Sequence, residues 1–595
     1  MSRRTESDEV SRITGEERFR TAVEELAERL GRDPASVHRE AVAGLREMTA
    51  SHAAAPVWAW QRLGRYLIRR YHVRVDEPSL RELRALDDRH TLVWLPSHRS
   101  YLDTWVLPRA LDSAGFPPYY VFGGANLDFW PFGDLAKRTG LIFIRRNVRD
   151  DPVYRMALRQ YLGSLVRRRA DFGWSIEGGR TRTGKLRPPR YGLLRYLSDA
   201  VRENESGGEV LLVPVSIVYD QLPEVAAMVA EAHGGEKSSE NIGWLIEFVR
   251  RQSQAGGQAY IDFGEPVPLV ERLDELTAEG DGDAHEVERV ALDVSHRINQ
   301  VTPVIPAAVV TIALLAANRG LTRDEVVQIV RPLAEYFNQR GVLVACDSRL
   351  DDRTVVASAL DELVRAGGAI RHDGGREPVW ALGPDQHLIA AFYRNSALHF
   401  LVERAVAELV CIAADETPER ERRDIGQEVA LRLRELLKFE FFFARKRDFL
   451  QEVEKEIHYL DESPEEQPLA PLVLRPFLES YLVVADCLAA LPPGARVDEK
   501  PFLRKCLGVG RQWLLQRRLH SAESVSLEIF RNGLEVARHR GLAGPGDTSL
   551  TARRGVFADE IRQTLRWVTS LERQGTVRPA HVEPTPADDV RLTSE

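Results

Sequence analysis

The sequence predicts an α/β domain set between a short helical amino-terminal region and a mostly helical carboxyl-terminal half. Three observations predict it. Short apolar, β-rich runs alternate with helical segments from Thr91 to about Val270. Strand signals become scarce after Pro303 while helical spacing dominates. The length, 595 residues, exceeds what one ordinary core accommodates.

Taken in order, residues 1–15 are polar and charged and are expected to be a disordered tail. Glu16 to Met48 repeats apolar residues at helical spacing around a Gly31-Arg32-Asp33-Pro34 break, which predicts two helices and a turn within a region spanning 16–90. Strands are predicted at Thr91–Leu95, Tyr119–Phe122, Leu141–Ile144, Phe172–Ile176, Val210–Val218 and Ala259–Phe263, inside a domain spanning 91–300. The region 301–575 carries helical patterns over Arg323–Phe337, Thr354–Arg365, Gln386–Ala413, Val429–Ile457 and Phe502–Arg540, and 576–595 is expected to be a second disordered tail. Thr302 to Ala317 lacks charge but falls short of the roughly 20 residues a membrane-spanning helix needs, so it predicts a buried helix.

Composition narrows the function. Apolar residues make up 44% and charged residues 29%, which excludes collagen-like and wholly disordered classes. Four scattered cysteines without a C-x-x-C pair support neither a disulfide framework nor a zinc knuckle, and a charged amino terminus without an apolar run predicts a protein that stays in a reducing cytoplasm. The net charge of −8 opposes generic polyanion binding. Between Lys137 and Arg195, however, sixteen basic residues face four acidic ones, a local net of +12. That segment implies an anionic substrate, cofactor or surface.

Three stretches carry candidate chemistry. In Leu95-Pro-Ser-His98-Arg-Ser100-Tyr-Leu-Asp103, His98 and Asp103 would lie about 140° apart on one continuous helix and would not meet. With the strand ending near Pro96 and Asp103 in the first turn of the next helix, the carboxylate folds back on the imidazole and supports it as a general base. The bland reading is a capping box from Ser100 to Asp103. Gly140-Leu-Ile-Phe-Ile-Arg145-Arg146 delivers two arginines from the carboxyl end of a strand, where open α/β sheets place ligands, unless both are solvated surface residues. Glu177-Gly178-Gly179-Arg180-Thr-Arg182-Thr-Gly184-Lys185 combines small residues, hydroxyls and cations in the manner of a phosphate site, the alternative being a mobile basic loop.

Two further stretches suggest a membrane surface. Ser51 to Val75 has no acid and interleaves Arg62, Arg65, Arg69, Arg70 and Arg74 with Trp58, Trp60 and Tyr66, the mixture of an interfacial helix. Lys438 to Arg447 is a second aromatic and basic cluster. Either also suits a core helix with a solvated edge.

Together these segments resemble the membrane-associated bacterial glycerol-3-phosphate 1-O-acyltransferases. The resemblance is an ordered series: Ser97–Asp103, Gly124–Pro131, Phe143–Arg146, Glu177–Gly184 and Val213–Asp220, followed by Ile261–Pro266 and Phe392–His399. Asp220 and Ser175-Ile176 depart from the family pattern. The resemblance implies an α/β acyltransferase domain with a central mixed sheet flanked by helices. It implies acyl transfer from acyl-CoA or acyl-carrier protein to the 1-hydroxyl of glycerol 3-phosphate at the cytoplasmic face of the cell membrane, as a peripheral protein on an anionic surface.

On this reading His98 removes the hydroxyl proton and Asp103 orients it. Arg145, Arg146, Arg180, Arg182 and Lys185 hold the acceptor's phosphate. Glu177 binds glycerol hydroxyls or locks an arginine, Gly178 and Gly179 admit the ligand to the backbone, and Pro214 shapes the wall. No metal, no resident cofactor and no nucleic acid are expected, and the oligomeric state is left open. The rivals are the same fold acylating lysophosphatidate or dihydroxyacetone phosphate, and a non-enzymatic protein binding anionic lipid or nucleic acid through the +12 segment.

Overall fold

A computed structural model of the chain describes residues 2–124, 132–145, 148, 150–202, 209–235, 242–254, 256–278, 285–317, 319–462, 467–492 and 494–576. The chain begins with helices α1 (Ser2–Gly15), α2 (Glu17–Leu30) and α3 (Pro34–Met48). The turn predicted at Gly31–Pro34 is present: Gly31 ends α2 at φ 62°, and Asp33 caps α3 by accepting a hydrogen bond from the Ser36 amide, with proline at the first helical position. The expectation of a disordered tail over 1–15 is corrected. Val10 and Ile13 of α1 are buried in the same cluster as α2, α3 and α8, and tertiary burial outweighs the segment's polarity. The tail expected over 576–595 lies outside the described residues, apart from Thr576.

A second correction concerns Ser51–Val75. Only Ala54–Leu67 is helical (α4); the chain then enters strand β1 (Tyr71–Val75) at the edge of the main sheet. Trp60, Leu67, Ile68 and Tyr71 are buried, so this stretch builds core as well as surface, and a domain boundary at residue 90 would cut the sheet.

The α/β part continues through α5 (Glu77–Asp87), β2 (Thr91–Pro96), α6 (Asp103–Ser113), β3 (Tyr120–Gly124), α7 (Phe132–Lys137), β4 (Leu141–Ile144), α8 (Pro152–Arg167) and β5 (Phe172–Gly173). It goes on through α9 (Gly192–Arg202), β6 (Val210–Tyr219), α10 (Val225–Ala232), α11 (Ile242–Gln254), β7 (Gly257–Phe263), β8 (Val267–Pro268), α12 (Leu269–Ala278) and α13 (Glu286–Gln300). The strand order is β1-β7-β6-β2-β5-β3-β4, with β8 also on β6. Neighbours are parallel except where β7 and β8 run antiparallel to β6, so the sheet is mixed as expected. β5 is shorter than the predicted Phe172–Ile176.

Strand β2 explains how the layers form. Leu92 and Trp94 join one core cluster while Val93 and Leu95 join the other, because alternate side chains leave a strand on opposite faces. Both faces are covered by helices, which is why β2 reads as an unbroken apolar run.

The second half is helical as predicted, with finer breaks. Its helices are α14 (Pro306–Ala317), α15 (Arg323–Gln339), α16 (Arg353–Arg365), α17 (Pro384–Arg394), α18 (Val402–Asp415), α19 (Arg422–Leu437), α20 (Lys446–Glu462), α21 (Ala470–Ala489), α22 (Glu499–Leu515), α23 (Leu527–His539) and α24 (Ser549–Thr576). A small antiparallel sheet, β10 (Ile370–His372), β11 (Val379–Ala381) and β9 (Leu321–Thr322), went unpredicted because its strands are two or three residues long. The helix α14 is buried, as its lack of charge predicts. Among the described residues no helix is long and apolar enough to cross a membrane.

One core cluster runs from the β2 face through α14 to Leu571 of α24, so the helical half packs directly on the sheet. The Lys438–Arg447 cluster belongs to this joint. Phe441 and Phe442 are buried, which corrects its reading as a membrane contact.

Candidate active site

The site forms where β2 ends. Pro96 closes the strand, residues 97–102 cross over, and Asp103 opens α6. This geometry turns the Asp103 carboxylate back: Oδ2 lies 2.9 Å from His98 Nδ1 and also accepts the amides of Arg99 (2.9 Å) and Ser100 (3.1 Å). One Asp103 oxygen thus meets both the His98 ring and the backbone of the turn, while the Ser100 hydroxyl accepts the Leu102 amide at 3.0 Å, so the expected capping box is only half formed. Tyr219, at the end of β6, donates its hydroxyl to Oδ1 at 2.7 Å. With Nδ1 engaged, Nε2 is the nitrogen left for proton transfer, and the imidazole is 24% exposed, enough to meet a substrate.

The Glu177–Lys185 loop is clamped to this turn by three hydrogen bonds. Glu177 Oε1 accepts the His98 amide at 2.7 Å, the Thr181 amide donates to the His98 carbonyl at 2.9 Å, and the Arg99 guanidinium donates to the Gly184 carbonyl. Glu177 Oε2 accepts the Arg187 amide at 2.9 Å, so its carboxylate holds backbone rather than an arginine side chain. Burial pushes Glu177 up to about 7, against the pull of those two amide hydrogen bonds. Arg99, wholly enclosed, is lowered by desolvation although Glu177 and Asp103 oppose the shift.

The two glycines differ in role. Gly178 has φ +66°, a conformation that favours glycine, whereas Gly179 offers its carbonyl to Arg187 at 3.3 Å. Gly184, at φ +83°, lies so close to the Phe392 carbonyl that a Cβ there would sit 1.9 Å from its oxygen. Asn395, just after α17, donates to the Thr183 carbonyl at 2.8 Å, so the helical half supports the loop from behind.

The cations separate into groups. Arg180 lies 3.8 Å over the Tyr101 ring, with Nη1 3.5 Å from Glu224, and Arg182 Nε lies 3.0 Å from Glu231. Both stand on the loop that bonds to His98. Lys185 does not join them, which corrects its expected role. Its ammonium pairs with Glu440 and lies 4.5 Å and 4.2 Å from the rings of Phe441 and Phe477, buried in the joint with the helical half. Arg145 is engaged by Glu47 (Nε to Oε1, 3.0 Å) and Asp151 (2.9 Å). Arg146 and most of Gly124–Pro131 lie outside the described residues. Pro214 sits in mid-β6 opposite Leu95, its carbonyl accepting the Gly264 amide at 2.9 Å. Among the described residues no cluster of three or more His, Cys, Asp or Glu has the arrangement to hold a metal ion.

A family model for the glycerol-3-phosphate acyltransferase C-terminal region matches residues 228–545, and an acyltransferase family model matches residues 75–218. The chain belongs to the glycerol-3-phosphate acyltransferase family. A full-length relative from Mycobacterium tuberculosis H37Rv, named "Putative acyltransferase plsB1", is 47% identical over 95% of this chain and 94% of its own. The glycerol-3-phosphate acyltransferase of Glaesserella parasuis is 29% identical, covering 59% of this chain and 44% of that protein. Among solved structures, the lysophosphatidate acyltransferase PlsC of Thermotoga maritima overlaps 40% of this chain and 78% of its own at 16% identity, with a TM-score of 0.25, too low to carry an argument.

For this acyltransferase the sequence reading missed residues that the fold brings to the site: Arg99, Tyr219, Glu224, Glu231 and Asn395. Arg99, Tyr219 and Asn395 stand inside motifs quoted for the resemblance, yet nothing in their spacing links them to His98. Glu224 and Glu231 carried no signal at all, because acid residues at the start of a short helix and within it are ordinary.

Proposed function

We propose that the protein transfers a fatty acyl group from a thioester, acyl-CoA or acyl-carrier protein, to the sn-1 hydroxyl of glycerol 3-phosphate, giving 1-acyl-glycerol 3-phosphate at the start of phospholipid synthesis. The observation that carries this reading is the direct bonding of the Arg180/Arg182 loop to the backbone of His98. A base and a pair of guanidinium groups thereby share one rigid frame, as a small phosphorylated alcohol requires. His98 Nε2 takes the hydroxyl proton as the oxygen attacks the thioester carbonyl. Asp103 stabilises the imidazolium, and the proton passes to the departing thiolate. No acyl-enzyme is needed, since the acceptor oxygen is the nucleophile.

Arg180 and Arg182 are the anchors proposed for the acceptor's phosphate, with Arg146 added from sequence alone. Beside the site, between α4 and α6, lies a small cleft, partly open to solvent, with a cavity volume of about 90 Å³. It is lined by Val57, Trp60, Pro108, Leu111 and Phe116 and reaches Thr104, the neighbour of Asp103.

Peripheral attachment to an anionic bilayer is supported by the outer face of α4. Trp58 is 57% exposed and Tyr66 48%, with Arg62 5.5 Å over the Trp58 ring and Arg69 4.0 Å over Tyr66.

The test is thiol release from one acyl-CoA with a panel of phosphorylated acceptors. Glycerol 3-phosphate is expected to be the best substrate; turnover with lysophosphatidate or dihydroxyacetone phosphate alone would replace this reading.

A further inference from the structure

The segment after β6 supplies partners to both halves of the site. Tyr219 reaches Asp103, Glu224 reaches Arg180, and Glu231 reaches Arg182. Glu224 flanks the first residue of α10 and Glu231 lies seven residues on, close to two full helical turns, so the two carboxylates stand on one face. On the loop opposite, Arg180 and Arg182 alternate with Thr181. The Thr181 amide is bonded to the His98 carbonyl, while its hydroxyl oxygen accepts the amides of Thr183 and Gly184. Alternation thus sends Thr181 to the catalytic turn and both arginines to α10.

We propose that Glu224 and Glu231 are positioning residues that set Arg180 and Arg182 for the acceptor's phosphate. This rests on the reading of those arginines as the phosphate anchors. A guanidinium carries five N–H donors; Arg182 gives Glu231 one at 3.0 Å, and Arg180 faces Glu224 at 3.5 Å. Arg182 is held by Nε, which leaves its two Nη groups for a forked phosphate contact. Arg180 is sandwiched between Glu224 and the Tyr101 ring. Arginine side chains are long and flexible, and fixing them before the ligand arrives lowers the ordering that binding must supply.

Glu224 adds a second indication. Its carboxylate is buried between the Arg180 guanidinium, 3.5 Å away, and the turn that carries His98. Burial raises its protonation range, and Arg180, then the Ser100 hydroxyl and the Tyr101 amide, oppose the rise. A buried acid retained between the arginine loop and the turn that carries His98 is accounted for by alignment of the two.

The opposite device, a lock in which the carboxylates compete with phosphate, predicts the opposite sign, and kinetics on the full chain separates them. Wild type is assayed first with acyl-CoA and glycerol 3-phosphate; an inactive wild type overturns the acceptor reading and this inference with it. With an active wild type, Glu231→Ala and Glu224→Ala are expected to raise KM for glycerol 3-phosphate roughly tenfold while kcat and KM for acyl-CoA stay within about twofold. Glu231→Gln and Glu224→Gln keep an oxygen acceptor and are expected to stay near wild type. Glu231→Asp, a mild change at a partly exposed side chain, gives an intermediate KM even if an alanine variant fails to fold. An unchanged acceptor KM in the alanine variants, or a lowered one, overturns the positioning role alone. So does a parallel loss of kcat, acyl-CoA affinity and thermal stability, which would make the carboxylates mere packing.

Discussion

Tyr219 donates its hydroxyl to Asp103 Oδ1 at 2.7 Å, on the carboxylate oxygen that His98 leaves free. The phenol is pushed well above its ordinary range, by burial first and the Asp103 charge second, so it stays a donor at any working pH. Removing one hydrogen bond to a charged group is worth about 1.5–3 kcal/mol. Tyr219→Phe is therefore expected to lower kcat about tenfold or more, with KM for glycerol 3-phosphate unchanged. A kcat equal to wild type would show that Asp103 is oriented well enough by the Arg99 and Ser100 amides.

His98→Ala is expected to lower turnover by about 10²–10⁴, the usual contribution of a general base. Its imidazole is partly exposed and makes one side-chain hydrogen bond, so the thermal midpoint should barely move. Full thiol release by the variant would remove His98 from the chemistry.

Lys185 belongs to the architecture. Breaking its buried pair with Glu440 by Lys185→Ala leaves a carboxylate without its cation, a change that typically costs about 3–5 kcal/mol. The urea midpoint is expected to fall, and KM for glycerol 3-phosphate to hold in whatever fraction remains folded. Arg182→Ala should behave in the reverse way, raising KM without loss of stability. Equal kinetic effects in the two variants would restore Lys185 to the phosphate site.

Asp262 on β7 carries a carboxyl raised to about 7, by burial first and the neighbouring Asp76 charge second. A raised acid makes the fold bind the proton more tightly than the unfolded chain does. This contribution is fully present below the ordinary aspartate range and is lost as pH rises toward about 7. Asp262→Asn removes the titration, so it should stabilise the protein more at pH 8 than at pH 5, by about 1.4 kcal/mol per pH unit at most. Urea unfolding at both values checks it, and an equal effect at the two would contradict the assignment.

The α4 face can be tested without disturbing the core, because its large side chains are already in solvent. Exchanging Trp58, Arg62 and Tyr66 together for alanine should cut sedimentation with anionic vesicles severalfold and leave it low with neutral ones, since aromatic insertion and charge attraction act together. Undiminished sedimentation would move the contact elsewhere.

Local sequence determined much of this. The alternation of apolar runs placed β2, β3, β4, β6 and β7 within a few residues, because strand period and burial are local properties of the chain. The break at Gly31–Pro34 and the meeting of His98 with Asp103 likewise depend on only a few consecutive residues and the turn between them. What tertiary structure alone decided is which charge meets which. Lys185 and Arg182 are three residues apart and chemically alike. One pairs with Glu440 of the helical half and the other with Glu231 on α10, since the sharp turn at Gly184 sends them into different layers. The same holds for Trp58 and Trp60, one in solvent and one in the core, and for Tyr71, drawn into an edge strand by β7 nearly 200 residues away. Electrostatic partners act over a few ångströms of space regardless of separation along the chain, and no local pattern encodes them.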